Sequence, residues 1–316
     1  MKIRVPATSA NLGPGFDSCG IALSAYLTIN VLGESEFWEI QHTLGEEIPT
    51  NEENLLIQTA LKIAPELTPK VIRMVSDIPL ARGLGSSSSV IVAGIELANR
   101  LAHLNLSPKE KVRLATEMEG HPDNVAPAIL GDFVVASHVE NQVYHVKHHF
   151  PMCDVIAFIP EEPLFTEKSR AVLPEKLTYK EAVAASSIAN VMIAAILNGD
   201  LPLAGKMMEQ DKWHETYRRS LVPHLKEIRR LTQQKGAYGS FLSGAGPTVL
   251  ILSPEERTNE IVQSLEKLST KASIQIFNID QKAFKSFKKN EKKSLVIFSR
   301  FFLILGCFRG IITMIF

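Results

Sequence analysis

Two α+β domains are what this sequence predicts, on three observations. Its 316 residues correspond to two domains at roughly 150 residues each. Hydrophobic residues make up 45% of the chain, enough for each half to bury a core and too many for a disordered polypeptide. Strand-like and helix-like patterns are interleaved without the regular alternation of a parallel α/β fold, and no fixed-period repeat underlies them.

Residues 2–6 and 21–32 are rich in β-branched and apolar side chains and read as strands, joined by a polar, glycine-rich turn. Leu55, Leu56, Thr59, Ala60 and Ile63 recur at helical spacing ahead of Pro65, which closes that helix. A strand at 71–78 runs into a turn at Pro79, and an apolar helix begins near Ser87. Ser107, Pro108 and Glu110 are a strong helix start, with the helix running to about Glu119 and another beginning at 123. Strands follow at 133–139 and 153–160, separated by a histidine-bearing segment. The domain boundary falls near Phe150–Pro151, giving domains 1–150 and 151–288 and an atypical tail, 289–316. In the second domain the pattern predicts helices over 180–197 and 203–218 and a third ending at Gly236. A strand, a glycine turn and a second strand follow over 237–252, then a helix at 254–268 and a strand at 273–279.

Lys plus Arg and Asp plus Glu each number 34, so the chain is formally neutral and lacks the basic excess of a nucleic-acid binder. From Lys282 onward there are eight basic residues and one acid, Glu291, which leaves residues 1–281 with 26 positive and 33 negative charges, a net of −7. Cys19, Cys153 and Cys307 are far apart and have no CxxC spacing, which excludes a disulfide scaffold and a structural zinc site and fits a reducing compartment. The N-terminus has no apolar run long enough for a signal peptide, and the body is expected to be cytoplasmic with no membrane association. Residues 294–316 are apolar, but Arg300 and Arg309 cut them into uncharged runs of six, eight and seven residues. A bilayer-spanning helix needs about 20 apolar residues. The abrupt change of composition reads as non-family sequence ahead of a packing tail or a membrane anchor.

Four segments carry chemistry. In the first, residues 79–89 (PLARGLGSSSS), two glycines one residue apart let the backbone turn tightly and approach a ligand. The following helix N-terminus and the serine hydroxyls make an anion cradle, without the lysine of a Walker A loop. The polar turn at 6–17 (PATSANLGPGFD) offers Asn11 and Asp17 to a small polar substrate. At 117–127 a carboxylate, Glu119, stands beside an Asp-Asn turn and could ligate a hard cation such as Mg2+. The fourth is the glycine turn at 243–248 (SGAGPT).

Together and in this order, PATSANLGPGFD, PLARGLGSSSS, EGHPDNVAPAILG and SGAGPT resemble the galactokinase, homoserine kinase, mevalonate kinase and phosphomevalonate kinase (GHMP) superfamily. The first and third segments are similar to its homoserine kinase branch, and the resemblance runs from residue 1 to about 280. It implies a ribosomal protein S5 domain 2-like N-terminal domain and a ferredoxin-like C-terminal domain. It also implies ATP and Mg2+ as cofactors, and a kinase acting on the γ-hydroxyl of L-homoserine on the way to threonine, as a homodimer. The alternatives are another small-molecule kinase of the superfamily, of mevalonate type, or a catalytically silent ligand-binding sensor.

By the same resemblance the triphosphate cradle is Pro79, Leu80, Ala81, Arg82, Gly83, Leu84, Gly85, Ser86, Ser87, Ser88 and Ser89, with Ser87 and Glu119 on the metal. Asn11, Asp17, Glu119 and Asn124 carry catalysis. Asn11, Asp17, His121, Asn124 and Gly244 face the substrate, and Arg170 and Arg218 grip its carboxylate, with Arg219 as the neighbouring alternative. Asn124 stands where mevalonate-type relatives can place a basic aspartate, so positioning and charge neutralisation have to carry catalysis.

Overall fold

The computed structural model describes residues 1–268, 270–282 and 284–287, so the expectations for the tail lie outside the described residues. The first half opens with β1 (Lys2–Ala10) and β2 (Cys19–Glu34), an antiparallel pair, then β3 (Glu39–Gln41), α1 (Leu55–Ile63), β4 (Lys70–Ser76) and α2 (Ser86–Leu101). It continues with α3 (Pro108–Glu119), α4 (Pro122–Leu130), β5 (Phe133–Val139) and β6 (Gln142–His148). The second half comprises β7 (Asp154–Pro160), α5 (Thr166–Arg170), α6 (Tyr179–Leu197), α7 (Leu201–Met208), α8 (Glu215–Arg218) and α9 (His224–Gln234), then β8 (Gly239–Leu242), β9 (Val249–Ser253), α10 (Glu255–Leu265), β10 (Ala272–Phe277) and β11 (Lys285–Phe287).

Helix starts follow the sequence closely. The Asn54 side chain accepts from the Leu56 amide, and Ser107–Glu110 and Thr178–Glu181 form reciprocal capping boxes at α3 and α6. Two sheets result. The larger runs β11-β1-β2-β4-β3, with β5 and then β6 branching from β2; β3 joins β4 in parallel. The smaller is antiparallel, in the order β10-β7-β9-β8.

A single core joins the halves. Met192, Ala204, Met208 and Phe241 from the second half belong to the same buried cluster as Val5, Leu12 and Leu84 from the first. On the far side of the smaller sheet, Ile156, Phe158, Val249 and Ile251 pack with Ile228 and Ile261 of α9 and α10.

The structure departs from the sequence-based expectation at four places. The predicted helix over 203–218 is two helices, because the buried Asp211 carboxylate accepts the amides of Trp213, His214 and Glu215 at 2.8, 2.9 and 2.7 Å and starts a new turn there. The histidine-bearing segment is an edge strand, β6, in which Val143 is the buried residue, so its alternation carries little apolar signal. The short elements β3 and α5 hold three and five residues, too few to show a period. Finally, the chain beyond β10 returns to the larger sheet: Ile279 bridges to Leu23, Asp280 exchanges backbone bonds with Ala22 and Asp132, and β11 pairs with β1.

The segment ahead of β8 meets α7 without side chains at Gly205, where an added Cβ would lie 1.9 Å from the Tyr238 carbonyl oxygen. Gly205→Ala is therefore expected to lower stability by about 1–3 kcal/mol, read as a drop in denaturation midpoint with the fold otherwise retained.

Candidate active site

The loop between β4 and α2 is built on left-handed backbone: φ is 51° at Ala81, 74° at Gly83 and 68° at Gly85. Glycine is required at the last two on steric grounds as well. A Cβ on Gly83 would stand 2.2 Å from the Ser243 carbonyl, and one on Gly85 would stand 2.1 Å from Thr8 Oγ1. Gly85 precedes α2 without any side-chain cap, so the first amides of a 16-residue helix are left for a ligand. They open on a cavity of about 250 Å3 lined by Ala81, Gly83, Gly85, Ser86, Ser87 and Ser88 on one side.

Other members of the expected cradle do different work. Arg82 reaches away: Nε donates to the Pro160 carbonyl at 2.8 Å, Nη1 to that of Leu80 at 2.9 Å, and Nη2 to that of Glu161, which ties the loop to the end of β7. Leu84 is buried in the core, and Ser89 Oγ closes on the Ser86 carbonyl. Pro79, Leu80 and Arg82 line an adjoining, more apolar cavity of about 860 Å3 with Ile159, Pro160 and Phe165.

Of the expected metal pair, Glu119 is hydrogen-bonded to the neighbouring serine instead of Ser87. Ser88 Oγ donates to Glu119 Oε1 at 2.7 Å, whereas Ser87 is exposed on the cavity wall. One helical step separates the two serines, and Ser88 is the one turned toward the end of α3. A carboxylate and a hydroxyl make an all-oxygen donor set, which fits Mg2+. Asp17, His121 and Asp123 form a second group whose ligand atoms lie within 4.8 Å of one another, but the His121 ring is already engaged: Nδ1 meets Asp123 Oδ1 at 2.5 Å.

The opposite wall carries the charges. Asn11 and Asp17 both have left-handed backbone, φ 73° and 53°. Asn11 is almost fully used: its Oδ1 accepts from the Asp17 amide at 3.0 Å, and its Nδ2 donates to the Gly244 carbonyl at 3.2 Å. Asp17 is held bidentately by Arg170, at 3.1 and 2.6 Å. Arg218 is buried, donating from Nε to the Ser169 carbonyl at 3.1 Å and from Nη1 to His214 Nδ1 and the Gly244 carbonyl, each at 3.0 Å. Arg219 is exposed and does not line the cavity. Thr8 Oγ1 donates to Asn124 Oδ1 at 2.8 Å, which leaves the Asn124 amide NH2 for the cavity.

The electrostatics follow from burial. Desolvation, helped by the Arg170 charge, pulls the Arg218 guanidinium down to about 10 against the attraction of Asp17, Asp211 and Asp123. Burial also pulls His214 down. Its neutral ring donates from Nε2 to the Gly13 carbonyl at 3.0 Å and accepts at Nδ1 from Arg218. For His121 burial acts downward too, but the Asp123 hydrogen bond and the charges of Asp123 and Asp17 outweigh it, so its pKa is raised.

Sequence reasoning missed Phe16, Asp123 and His214. The Phe16 ring stacks on His214 with centroids 5.3 Å apart, and the guanidinium carbons of Arg170 and Arg218 lie 5.5 and 5.6 Å from its centroid. Asp123 had a signal, an acid in the first turn of a helix opened by Pro122.

Because the His121 pKa is raised on folding, its pair with Asp123 contributes stability in full below the ordinary histidine value of about 6.5 and loses it as pH rises through the folded value. An NMR titration should place His121 above that ordinary value, and Asp123→Asn should bring it down.

Comparison with known proteins shows the family. The GHMP kinases N terminal domain matches residues 54–132, and the GHMP kinases C terminal domain matches residues 192–269. The chain is 98% identical to the homoserine kinase of Enterococcus faecalis over 287 residues, 91% of this chain and all of that one. It is 59% identical to the homoserine kinase of Listeria welshimeri over 280 residues, 89% of this chain and 97% of that one. Among solved structures, the homoserine kinase of Cytophaga hutchinsonii superposes with a TM-score of 0.80 at 26% identity, over 90% of this chain and 96% of that one. A mevalonate kinase shares the fold, with a TM-score of 0.68 at 18% identity over 89% of this chain and all of that one. Matched in both of its halves and across nearly the whole length of these relatives, the chain belongs to the GHMP kinase family and, within it, to the homoserine kinases.

Proposed function

We propose that the chain transfers the γ-phosphoryl group of ATP to the γ-hydroxyl of L-homoserine, giving O-phospho-L-homoserine, a step toward threonine. One observation carries the reading: the uncapped N-terminus of α2 and two arginines beside an aspartate line the same cavity. The first suits a polyphosphate, and the second suits an amino acid with an alcohol arm.

Residues 1–150 supply the phosphate cradle, with the amides and hydroxyls of Ser86, Ser87 and Ser88 taking the place of a lysine, and the more apolar adjoining cavity is suited to the nucleoside. Glu119 and Ser88 would hold Mg2+, which when bound neutralises phosphate charge. Residues 151–288 supply Arg170 and Arg218 for the substrate carboxylate. Asp17 takes the ammonium group, and the Asn124 amide orients the reacting hydroxyl. Asn124 does not accept a proton at neutral pH, so the acceleration rests on alignment and on charge complementarity along the loop.

Cytoplasmic residence goes with the free thiols Cys19 and Cys153 and with the use of ATP. A homodimer has a candidate contact in the exposed apolar side chains of α6, Tyr179, Val183 and Val191.

Release of ADP across a panel of L-homoserine, mevalonate and galactose tests the assignment; turnover of L-homoserine no better than the others refutes it. Glu119→Gln is expected to lower kcat by about 100-fold, with the Mg2+ requirement raised.

A further inference from the structure

Resting on the homoserine reading of this site, we infer that Asp17 and Arg170 act as an internal substitute for the substrate's two charges, a pair that parts only for a ligand carrying both a carboxylate and an ammonium group. The two side chains come from opposite halves, Asp17 from the turn between β1 and β2 and Arg170 from the end of α5. They meet in a bidentate pair at 3.1 and 2.6 Å. Each is about one-third exposed and lines the cavity, so a ligand can reach both. As long as they hold each other, neither is available to a substrate.

The surroundings make a one-sided opening costly. A ligand with only a carboxylate takes Arg170 and leaves Asp17 without its bonded cation, close to Asp123 and to a His121 ring that Asp123 already holds. A ligand with only an ammonium takes Asp17 and leaves Arg170 without its bonded carboxylate beside Arg218, a second cation in the same corner, with only the more remote charges of Asp123 and Glu119 to offset it. Breaking a partly buried pair from one side costs more than the pair contributes, because the abandoned charge stays behind. A zwitterion strips neither: one ion pair becomes two.

Arg218 gives the exchange its starting point. It is buried, and its bonded partners are two carbonyls and an imidazole nitrogen, with no carboxylate among them. A substrate carboxylate therefore lands on a cation with no carboxylate hydrogen-bonded to it among the described residues, draws Arg170 across, and releases Asp17 for the ammonium. Discrimination against simple hydroxy acids and amino alcohols then comes from the pair that must be broken, as well as from the new bonds the substrate makes.

The test uses the full chain, wild type and Asp17→Asn, with three alcohols: L-homoserine, γ-hydroxybutyrate, which lacks the ammonium, and 3-aminopropan-1-ol, which lacks the carboxylate. In the wild type both truncated alcohols should have kcat/KM at least about 100-fold below that of L-homoserine. In Asp17→Asn the KM of L-homoserine should rise about tenfold while that of γ-hydroxybutyrate falls severalfold, since Arg170 is already free. If wild type turns over L-homoserine but the substitution leaves the γ-hydroxybutyrate KM unchanged or raises it, the exchange is overturned and the activity stands. A structure of the wild type with L-homoserine bound provides an independent reading. Asp17 should then lie on the ammonium and off Arg170, and a bidentate pair persisting beside bound substrate overturns the proposal.

Discussion

One constraint in the site sets backbone against backbone: Gly83 has room for no side chain because the Ser243 carbonyl stands 2.2 Å from where a Cβ would be. Ser243 Oγ reinforces the contact, reaching the Gly83 carbonyl at 2.6 Å and Ser9 Oγ at 2.8 Å. Three of the motif-bearing segments, the end of β1, the loop before α2 and the turn between β8 and β9, are thereby locked at one point. The phosphate loop cannot shift without moving the turn that holds Gly244, and the Gly244 carbonyl is the partner of both Asn11 and Arg218. The loop before α2 and the arginine-bearing wall are thus built on a shared backbone junction, which on the proposed reading fixes the distance between the two reacting groups before either arrives.

That rigidity fits the proposed mechanism, in which no strong base takes part. The donors are main-chain amides at the start of α2, held by a helix whose Ile91, Val92 and Ile95 sit in the core. Their orientation costs nothing at the moment of reaction. Glu119 closes α3 from the other side, with Gly120 at φ 94° ending the helix directly behind it.

Where residue type and spacing are themselves the cause of structure, the sequence is readable. The capping box at Ser107 and the glycines at 83 and 85 belong to this class, whereas the two arginines stand out only through the family resemblance. It is silent where the cause is a distant partner. Nothing local marks Ser88 rather than Ser87 as the neighbour of Glu119; the choice depends on which way α2 is rotated against α3. Nothing local shows Asp17 and Arg170, 153 positions apart, paired with each other. The helical pattern over 203–218 misleads for a related reason. Its apolar spacing continues through Asp211, and only burial of that carboxylate against three amides makes it a stop.

That interruption is what places Arg218. Asp211 starts α8, Glu215 anchors it by accepting the Leu242 amide at 2.7 Å and Arg229 Nη2 at 2.8 Å, and His214 ties it to the Gly13 carbonyl. A continuous helix from 201 would carry Arg218 in another direction and leave the Gly244 carbonyl unpartnered by it. Arg218 therefore arrives fixed, with its Nε and Nη1 spent on the protein, whereas the Arg170 guanidinium is hydrogen-bonded to Asp17 and to no other described residue. Two guanidiniums near one aromatic ring, Phe16, would repel if both were equally free. Immobilising one and lending a carboxylate to the other offsets that repulsion and leaves a single ion pair, Asp17 with Arg170, for the proposed exchange to reassign.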